Sequence, residues 1–342
     1  MLSRTPAQLL RRGLLTLAAA FALLPAARAE GPIIIKFSHV VAPDTPKGKA
    51  ADFFAKRAAE LTKGRVKVEV YPNSQLYKDK EEIEALQLGS VQMLAPSLSK
   101  FAPLGVKEFE VFDLPFIFDD YNDLHKVTNG PVGKSLLKKL ETRGITGLAY
   151  WDNGFKVMSA NRPLKNVEDY KGLKMRIQSS KVLDAQMRAL GAIPQVLAFS
   201  ETYQALQTGV VDGTENPPSN LYTQKMNEVQ KYVSVTNHGY LGYAVVVNKK
   251  FWDGLPADIR AALTKAMAEA TKVADDTAYQ DNMQALEKVA ATGKTQIFRP
   301  SLAERFLMKK ALFPVHKQMA SRIGDGIIQE IYKETNFDPS KL

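Results

Sequence analysis

IIIKFSHVVAPDTPKGKAADFFAKRAAELTKGRVKVEVYP, residues 33–72, holds the pattern on which the fold class turns. Ile33 to Val40 is mostly apolar and β-branched, the signature of a buried strand. Thr45 then stands as an N-cap with Pro46 at the first helical position. Ala50, Phe53, Phe54, Ala58 and Leu61 follow at helical spacing until Gly64 stops the run. From Arg65 the period drops to two, with Val66, Val68 and Val70 alternating against Lys67 and Glu69. Strand, helix, strand predicts a crossover unit of an α/β sheet.

The same rhythm continues outward. Asp79 with Glu82 three residues on resembles a capping box opening another helix, and SVQMLAP (90–96) returns to strand. After the aromatic, Pro-containing loop FEVFDLPFIFDD (109–120), a helix fits Pro131–Thr142. ITGLAYWDNGFKVMSANRP (145–163) predicts two short strands around Asn153-Gly154. In SSKVLDAQMRALGA (179–192) Ser180 caps a helix whose Leu183, Met187 and Leu190 share a face, with Gly191 as stop. SETYQALQTGVVDG (200–213) reads as a further helix and YLGYAVVVNKKFW (240–252) as a core strand. From Pro256 to about Ala291 nothing interrupts a helical pattern of Ile259, Leu263, Ala266, Ala270, Val273 and Thr277. That is far longer than an average helix and predicts a brace shared by two domains.

The first 29 residues combine Arg4, Arg11 and Arg12, an apolar run from Gly13 to Leu24, and small Ala27 and Ala29. They predict a secretory signal peptide cleaved after about Ala29, the apolar run being short for a membrane span. Losing Arg4, Arg11, Arg12 and Arg28 takes the formal charge from +10 to +6. The remaining basic residues form no block and no aromatic-interleaved helix, so no nucleic-acid partner is expected. A mild positive field favours anionic small molecules. The chain has no cysteine, which rules out disulfides, thiolate catalysis and thiolate metal sites, and leaves stability to a core.

Catalytic patterns are sparse. His39, His125, His238 and His316 form no i, i+4 pair, so no metal or other cofactor is expected. NGPVGKSLL (129–137) lacks the first glycine of a phosphate loop, Thr128 standing there. Asp212 and Glu215 in VVDGTENPP are an acid–base pair for an exported hydrolase on one reading, and turn-forming carboxylates on the other. A binding reading has more support. Arg176 ends the strand-like GLKMRI just before the Ser180 cap, at the edge where α/β sheets gather ligands and where a helix N-terminus favours anions. Arginine grips a carboxylate with two parallel hydrogen bonds. Lys156 is a second cation at the start of an apolar strand, and Asn216 lies beside two stiffening prolines. Ser97 and Trp151 fall at strand ends, with Tyr77, Asn153 and Tyr240 as further candidates. Core packing is the equal alternative for Trp151, and interdomain packing for Tyr240.

Together FSHVVAPDTPKGKAADFFAKRAAELTKGRVKVEVYPNSQLYKDKE (37–81), GLKMRIQSS (172–180), AFSETYQALQTGVVDGTENPPSN (198–220) and EVQKYVSVTNHGYLGY (228–243) resemble a known family. This is the substrate-binding protein of the tripartite ATP-independent periplasmic (TRAP) transporters, most of all its C4-dicarboxylate-binding DctP subfamily. The resemblance implies a periplasmic, two-lobed α/β binding protein with the ligand cleft between lobes, crossing hinge strands and a long bracing helix. Lobe I is expected to comprise 30–153 and about 242–281, and lobe II 154–241 and about 282–335. It further implies a monomer that delivers a small organic acid to a small and a large membrane subunit of a sodium-coupled permease. Malate, succinate or fumarate are the expected ligands, with a 2-oxo acid, lactate or an aromatic acid as the alternative. A sensor role beside transport stays open.

The resemblance also implies residue roles. Arg176 holds the substrate carboxylate, Asn216 hydrogen-bonds it, and Phe199 forms an aromatic wall. Glu215 and His238 buttress the arginine, Glu215 accepting from the far side of its guanidinium. Where sialic-acid binders carry a second arginine, this chain has Lys156 in NGFKVMS, as dicarboxylate binders do. Lys156, or Lys47 and His39 from the opposite lobe, are then the groups for a second carboxylate. Lys47 is the weaker choice, because a lysine in a first helical turn is ordinarily solvated.

Overall fold

The computed structural model describes residues 31–341, so the leader and its cleavage after Ala29 lie outside the described residues. In chain order the elements begin β1 (Ile33–Ser38), α1 (Pro46–Leu61), β2 (Val66–Tyr71), α2 (Glu82–Gln87), β3 (Met93–Leu94), α3 (Tyr121–Asn129), α4 (Pro131–Lys139), β4 (Ile145–Phe155) and β5 (Val157–Ala160). They continue β6 (Lys174–Ile177), α5 (Lys181–Ala189), β7 (Ile193–Val196), α6 (Thr202–Gln207), β8 (Gly213–Asn216), α7 (Pro218–Thr223), β9 (Tyr232–Ser234) and β10 (Tyr240–Asn248). The last are α8 (Lys249–Gly254), α9 (Ala257–Ala291), β11 (Gln296–Phe298), α10 (Leu302–Leu312), α11 (Pro314–Ile323) and α12 (Asp325–Thr335).

The opening stretch folds as read. Thr45 Oγ1 accepts from Gly48 N at 3.2 Å, Pro46 sits in the first turn of α1, and β1 and β2 pair in parallel from Ile33↔Val66. A first sheet runs β2-β1-β3-β10-β4 and a second β11-β9-β5-β8-β6-β7. β10 lies antiparallel to β3 and β4. It is buried throughout, and its period of two serves both faces of the first sheet. Ala244 and Val246 join one core with Phe101, Phe109 and Phe112, whereas Leu241, Tyr243, Val245 and Val247 join another with Phe37, Phe54 and Trp151. Val157 and Met158 divide in the same way between two cores on the second sheet.

α9 is 35 residues long, about 52 Å at 1.5 Å per residue. Its Ile259, Leu263, Ala266 and Ala270 pack in the Phe37–Trp151 core of the first sheet, and its Leu286 and Val289 in the Val157–Val233 core of the second. One helix therefore braces both sheets. Val315, Ile323, Ile328, Ile331 and Tyr332 of α11 and α12 return to the Phe109–Val246 core, so those helices pack against the first sheet, not the second where residues up to 335 were expected.

Asn153-Gly154 is not the expected turn. β4 runs unbroken for 11 residues through both, and Lys156 alone separates it from β5 in the second sheet. The glycine serves another purpose: at φ +147°, a Cβ here would collide with Asn282 Nδ2, whose amide donates to Asn153 O at 2.6 Å. Backbone that glycine alone adopts readily, plus that collision, predicts that Gly154→Ala costs about 1–3 kcal/mol. Urea denaturation at equal m-value is the check; a loss below about 0.5 kcal/mol, the ordinary range for a surface change, would show that the helix and strand adjust freely.

Candidate functional site

Between the carboxyl ends of the two sheets lies a polar cavity of ≈ 20 Å³, room for about one water. Val40, Val41, Lys47, Ser97, Leu241 and Tyr243 line it from the first sheet's side, and Gln178, Phe199, Asn216 and Asn220 from the second's. Asp79 and Glu82 complete the wall. Gln178 Nε2 donates to Ser97 Oγ at 2.7 Å, and Phe199 N to Asp79 Oδ1 at 3.3 Å, so polar bonds tie the two walls together.

Arg176 stands just behind this wall, 1 % exposed. Its Nε and Nη2 both donate to Leu197 O, at 3.1 and 2.9 Å, and its guanidinium lies 5.8 Å from the Phe199 ring centroid. Burial pulls its pKa down, while Asp79, 4.0 Å from Nη2, and Glu215 resist. Burial alone would push Asp79 up, but Lys100, whose Nζ is 2.7 Å away, outweighs it and Asp79 is held below its ordinary value.

The Glu215 contact to Arg176 expected from the resemblance is absent. Glu215 Oε1 instead accepts from Lys156 Nζ at 2.8 Å, and Oε2 lies 3.1 Å from His238 Nε2, whose Nδ1 meets Thr236 Oγ1 at 2.7 Å. Burial raises the Glu215 pKa, but Lys156 and His238 prevail and hold it at about 2. Register explains the partnership: Met158 of β5 pairs with Glu215 of β8, and Lys156, two residues before Met158, falls on the same face and diagonally across from Glu215. Lys156 does not line the cavity, because its ammonium is already engaged in the buried pair.

Other candidates divide similarly. Lys47 is not solvated; it is 1 % exposed, donates to Ala95 O at 2.9 Å and sits 3.7 Å from the Tyr243 ring centroid. Burial pushes its pKa down, and burial pushes that of Glu82 up. His39 lies outside the cavity wall, and burial together with Lys47 lowers its pKa to about 3, so it is neutral and supplies no cation. Trp151 belongs to the core, its Nε1 donating to Thr271 Oγ1 at 3.0 Å, and Tyr240 donates to Asp152 Oδ1 at 2.6 Å away from the cavity. Asn153 is held by Asn282 and Ser219, and Tyr77 packs against the Phe109 core.

The hydrolase pair is not assembled. Asp212 Oδ2 accepts from Lys174 N at 2.8 Å, while Glu215 is locked to Lys156 and His238. Asp79, Glu82, Gln178, Asn220 and Tyr243 were missed by the sequence reading. Asp79 and Glu82 carried a signal of the wrong kind: the capping box does not form, α2 having Glu81 as its N-cap residue without a side-chain bond.

A small cavity closed between two sheets, lined by one lysine, two carboxylates, and amide and hydroxyl groups, has the make-up to enclose a small polar solute. Residues 37–323 match the model of bacterial extracellular solute-binding protein family 7, DctP. The C4-dicarboxylate-binding periplasmic protein DctP of Rhodobacter capsulatus is 66% identical over 304 residues, 89% of this chain and 91% of that protein. A TRAP periplasmic solute-binding protein from Sulfurospirillum deleyianum, solved with bound succinate, superposes with TM-score 0.86 at 48% identity, covering 88% of this chain and 99% of that one. Another, from Pseudomonas aeruginosa with bound L-malate, gives TM-score 0.82 at 47% identity over 84% and 100%. The chain belongs to the DctP family, two-lobed substrate-binding proteins of TRAP transporters that work with membrane subunits and are not enzymes.

The Lys156–Glu215 pair yields a test that needs no ligand. Removing one partner of a buried pair strands the other charge, so Lys156→Met is expected to cost about 3–5 kcal/mol. Lys156→Met with Glu215→Leu should recover much of that loss in urea denaturation. A single variant within about 1 kcal/mol of the parent, the scale of an exposed pair, would mean the pair contributes little.

Proposed function

We propose that this protein captures a C4-dicarboxylate, such as malate, succinate or fumarate, in the periplasm and delivers it as a monomer to the small and large membrane subunits of a TRAP permease. The observation that carries the reading is Arg176: a guanidinium 1 % exposed behind the cleft wall, with no carboxylate among the described residues closer than Asp79 at 4.0 Å. The relatives named for C4-dicarboxylates, or solved with succinate and malate, support it.

In this reading a ligand carboxylate enters between Asn216 and Phe199 and takes the face of the guanidinium that Asp79 now approaches. Lys47, Ser97 and Gln178 receive the second carboxylate across the cavity, while Lys156, Glu215 and His238 hold the floor beneath. A cavity of ≈ 20 Å³ admits no diacid until the lobes part. The ligand then touches both walls and favours the closed form by its differential affinity. Each desolvated, charge-assisted hydrogen bond is worth roughly 1.5–3 kcal/mol, so a few of them with good fit reach micromolar binding. No nucleic-acid partner enters the reading.

Isothermal titration of the protein from Glu30 onward, refolded to strip bound acid, tests this against malate, succinate, fumarate, 2-oxoglutarate, pyruvate, lactate and benzoate. One-to-one binding of the C4 diacids is expected, weakened more than about tenfold, or ~1.4 kcal/mol, in Arg176→Lys. Binding of monoacids alone would overturn the dicarboxylate assignment.

Proton linkage gives an independent check. Burial lowers the pKa of Lys47 and raises that of Glu82. An incoming dianion favours the protonated form of both, so binding at slightly alkaline pH should take up protons. Titrations in buffers of differing ionisation enthalpy will read the uptake, and Glu82→Gln should reduce it. Proton release on binding would exclude this pair from the second-carboxylate end.

A further inference from the structure

A second cavity, of ≈ 370 Å³, lies within the second lobe between α10, the segment Leu164–Tyr170 and the end of β9. Its volume falls in the range of small-molecule sites, and none of its lining residues borders the interlobe cavity. The wall is largely apolar, with Leu164, Val167, Tyr170, Leu307, Met308 and Ala311 contributing. Lys165, Asn166, Glu168 and Glu304 stand in the same wall, and two of its polar atoms are buried without partners. Arg305 Nε is buried and makes no hydrogen bond, and Ser234, 2 % exposed, has its Oγ likewise unbonded. The Tyr170 hydroxyl is near Ser234 but forms no bond of good geometry with it.

Arg305 is a built cation. Its guanidinium lies over the Phe116 ring, 5.4 Å from the centroid. The adjacent carboxylate, Glu304, is taken up by its own helix cap, accepting from Ser301 N and Oγ at 2.7 Å. Among the described residues no acid lies within ion-pair distance of Arg305. The Thr236 hydroxyl, also in the wall, is engaged with His238. The Nε is a buried donor left unmade, which is costly, and a half-buried guanidinium sharing a wall with an unbonded hydroxyl fits a carboxylate.

We propose that this cavity is a second ligand site, for a small amphipathic acid with one carboxylate on an unbranched apolar body. The carboxylate meets Arg305 and Ser234, and the apolar body lies along Leu164, Val167 and Met308. The chemistry differs from that of the cleft, which is polar at both ends and has no apolar trough.

Octanoate and octanol are the probes, read by methyl NMR and by titration calorimetry on the full protein, with and without saturating succinate. Octanoate is expected to bind one-to-one with a Kd of about 1 mM or tighter, to move the methyls of Leu164, Val167 and Met308, and to do so equally when succinate is present. Arg305→Gln should weaken it at least about tenfold and Arg305→Lys by less, the charge being kept and the fork lost, with thermal unfolding confirming that both variants fold. Octanol should bind at least about tenfold more weakly than octanoate. Unmoved methyls, equal binding by octanol, full affinity in Arg305→Gln, or displacement by succinate would each overturn the proposal.

Discussion

A guanidinium does not lose its proton at ordinary pH, so the near-complete burial of Arg176 imposes a standing electrostatic demand on everything around it. Leu197 O answers part of it by accepting two of its N–H groups. Asp79 answers another part from 4.0 Å, but its nearer partner is Lys100. Glu215, a second acid in range, is drawn to Lys156 and His238, and Glu201 to Lys78 at the surface. The local account therefore ends with excess positive charge: Lys100, Lys156 and Arg176 face Asp79 and Glu215, while burial pushes Lys47 and Glu82 alike toward their neutral forms. Such an excess in a nearly dry space is unfavourable unless an anion joins it, since buried charges are tolerated when paired. That imbalance favours an anion in the cleft before any detail of shape is considered.

Much of the fold was legible because the signals were local. The Thr45–Pro46 start, the valine alternation from 66 to 70 and the uninterrupted run up to Ala291 each depend on a few neighbouring residues, and each formed as read. The same kind of signal failed where tertiary partners competed for the residue. Asp79 and Glu82 had capping-box spacing, yet Asp79 is taken by Lys100 and Phe199 N, and Glu82 turns into the cavity wall. Asn153-Gly154 had turn composition, but the glycine was needed to admit Asn282. Lys47 had the position of a surface lysine and is instead enclosed by Ala95 O and Tyr243.

At the site, the residue types were readable and their pairings were not. Arg176, Asn216, Phe199, Ser97 and Lys47 come together at or just behind one cavity, though they are spread over about half the chain. Which acid faces which base is decided by strand register. With β5 antiparallel to β8, Lys156 is brought to Glu215, an outcome that spacing along the chain does not reveal. His39 and Trp151 show the converse: residues with the chemistry of a site whose side chains the sheet turned toward its core.

The joint between the sheets has a thermodynamic consequence. β4 enters β5 with Lys156 as its sole intervening residue, β10 leaves the neighbouring segment under a Lys156 N to Gly239 O bond of 2.8 Å, and α9 passes alongside as continuous helix. Every one of these connections is hydrogen-bonded backbone already confined to a single conformational well. Ordering a loose residue costs about 1–2 kcal/mol, and a joint made of loops would subtract that sum from the affinity each time the lobes came together. Here the disorder has been removed at folding, once, so the free energy of each contact with a ligand enclosed between the sheets is available to set how long it stays.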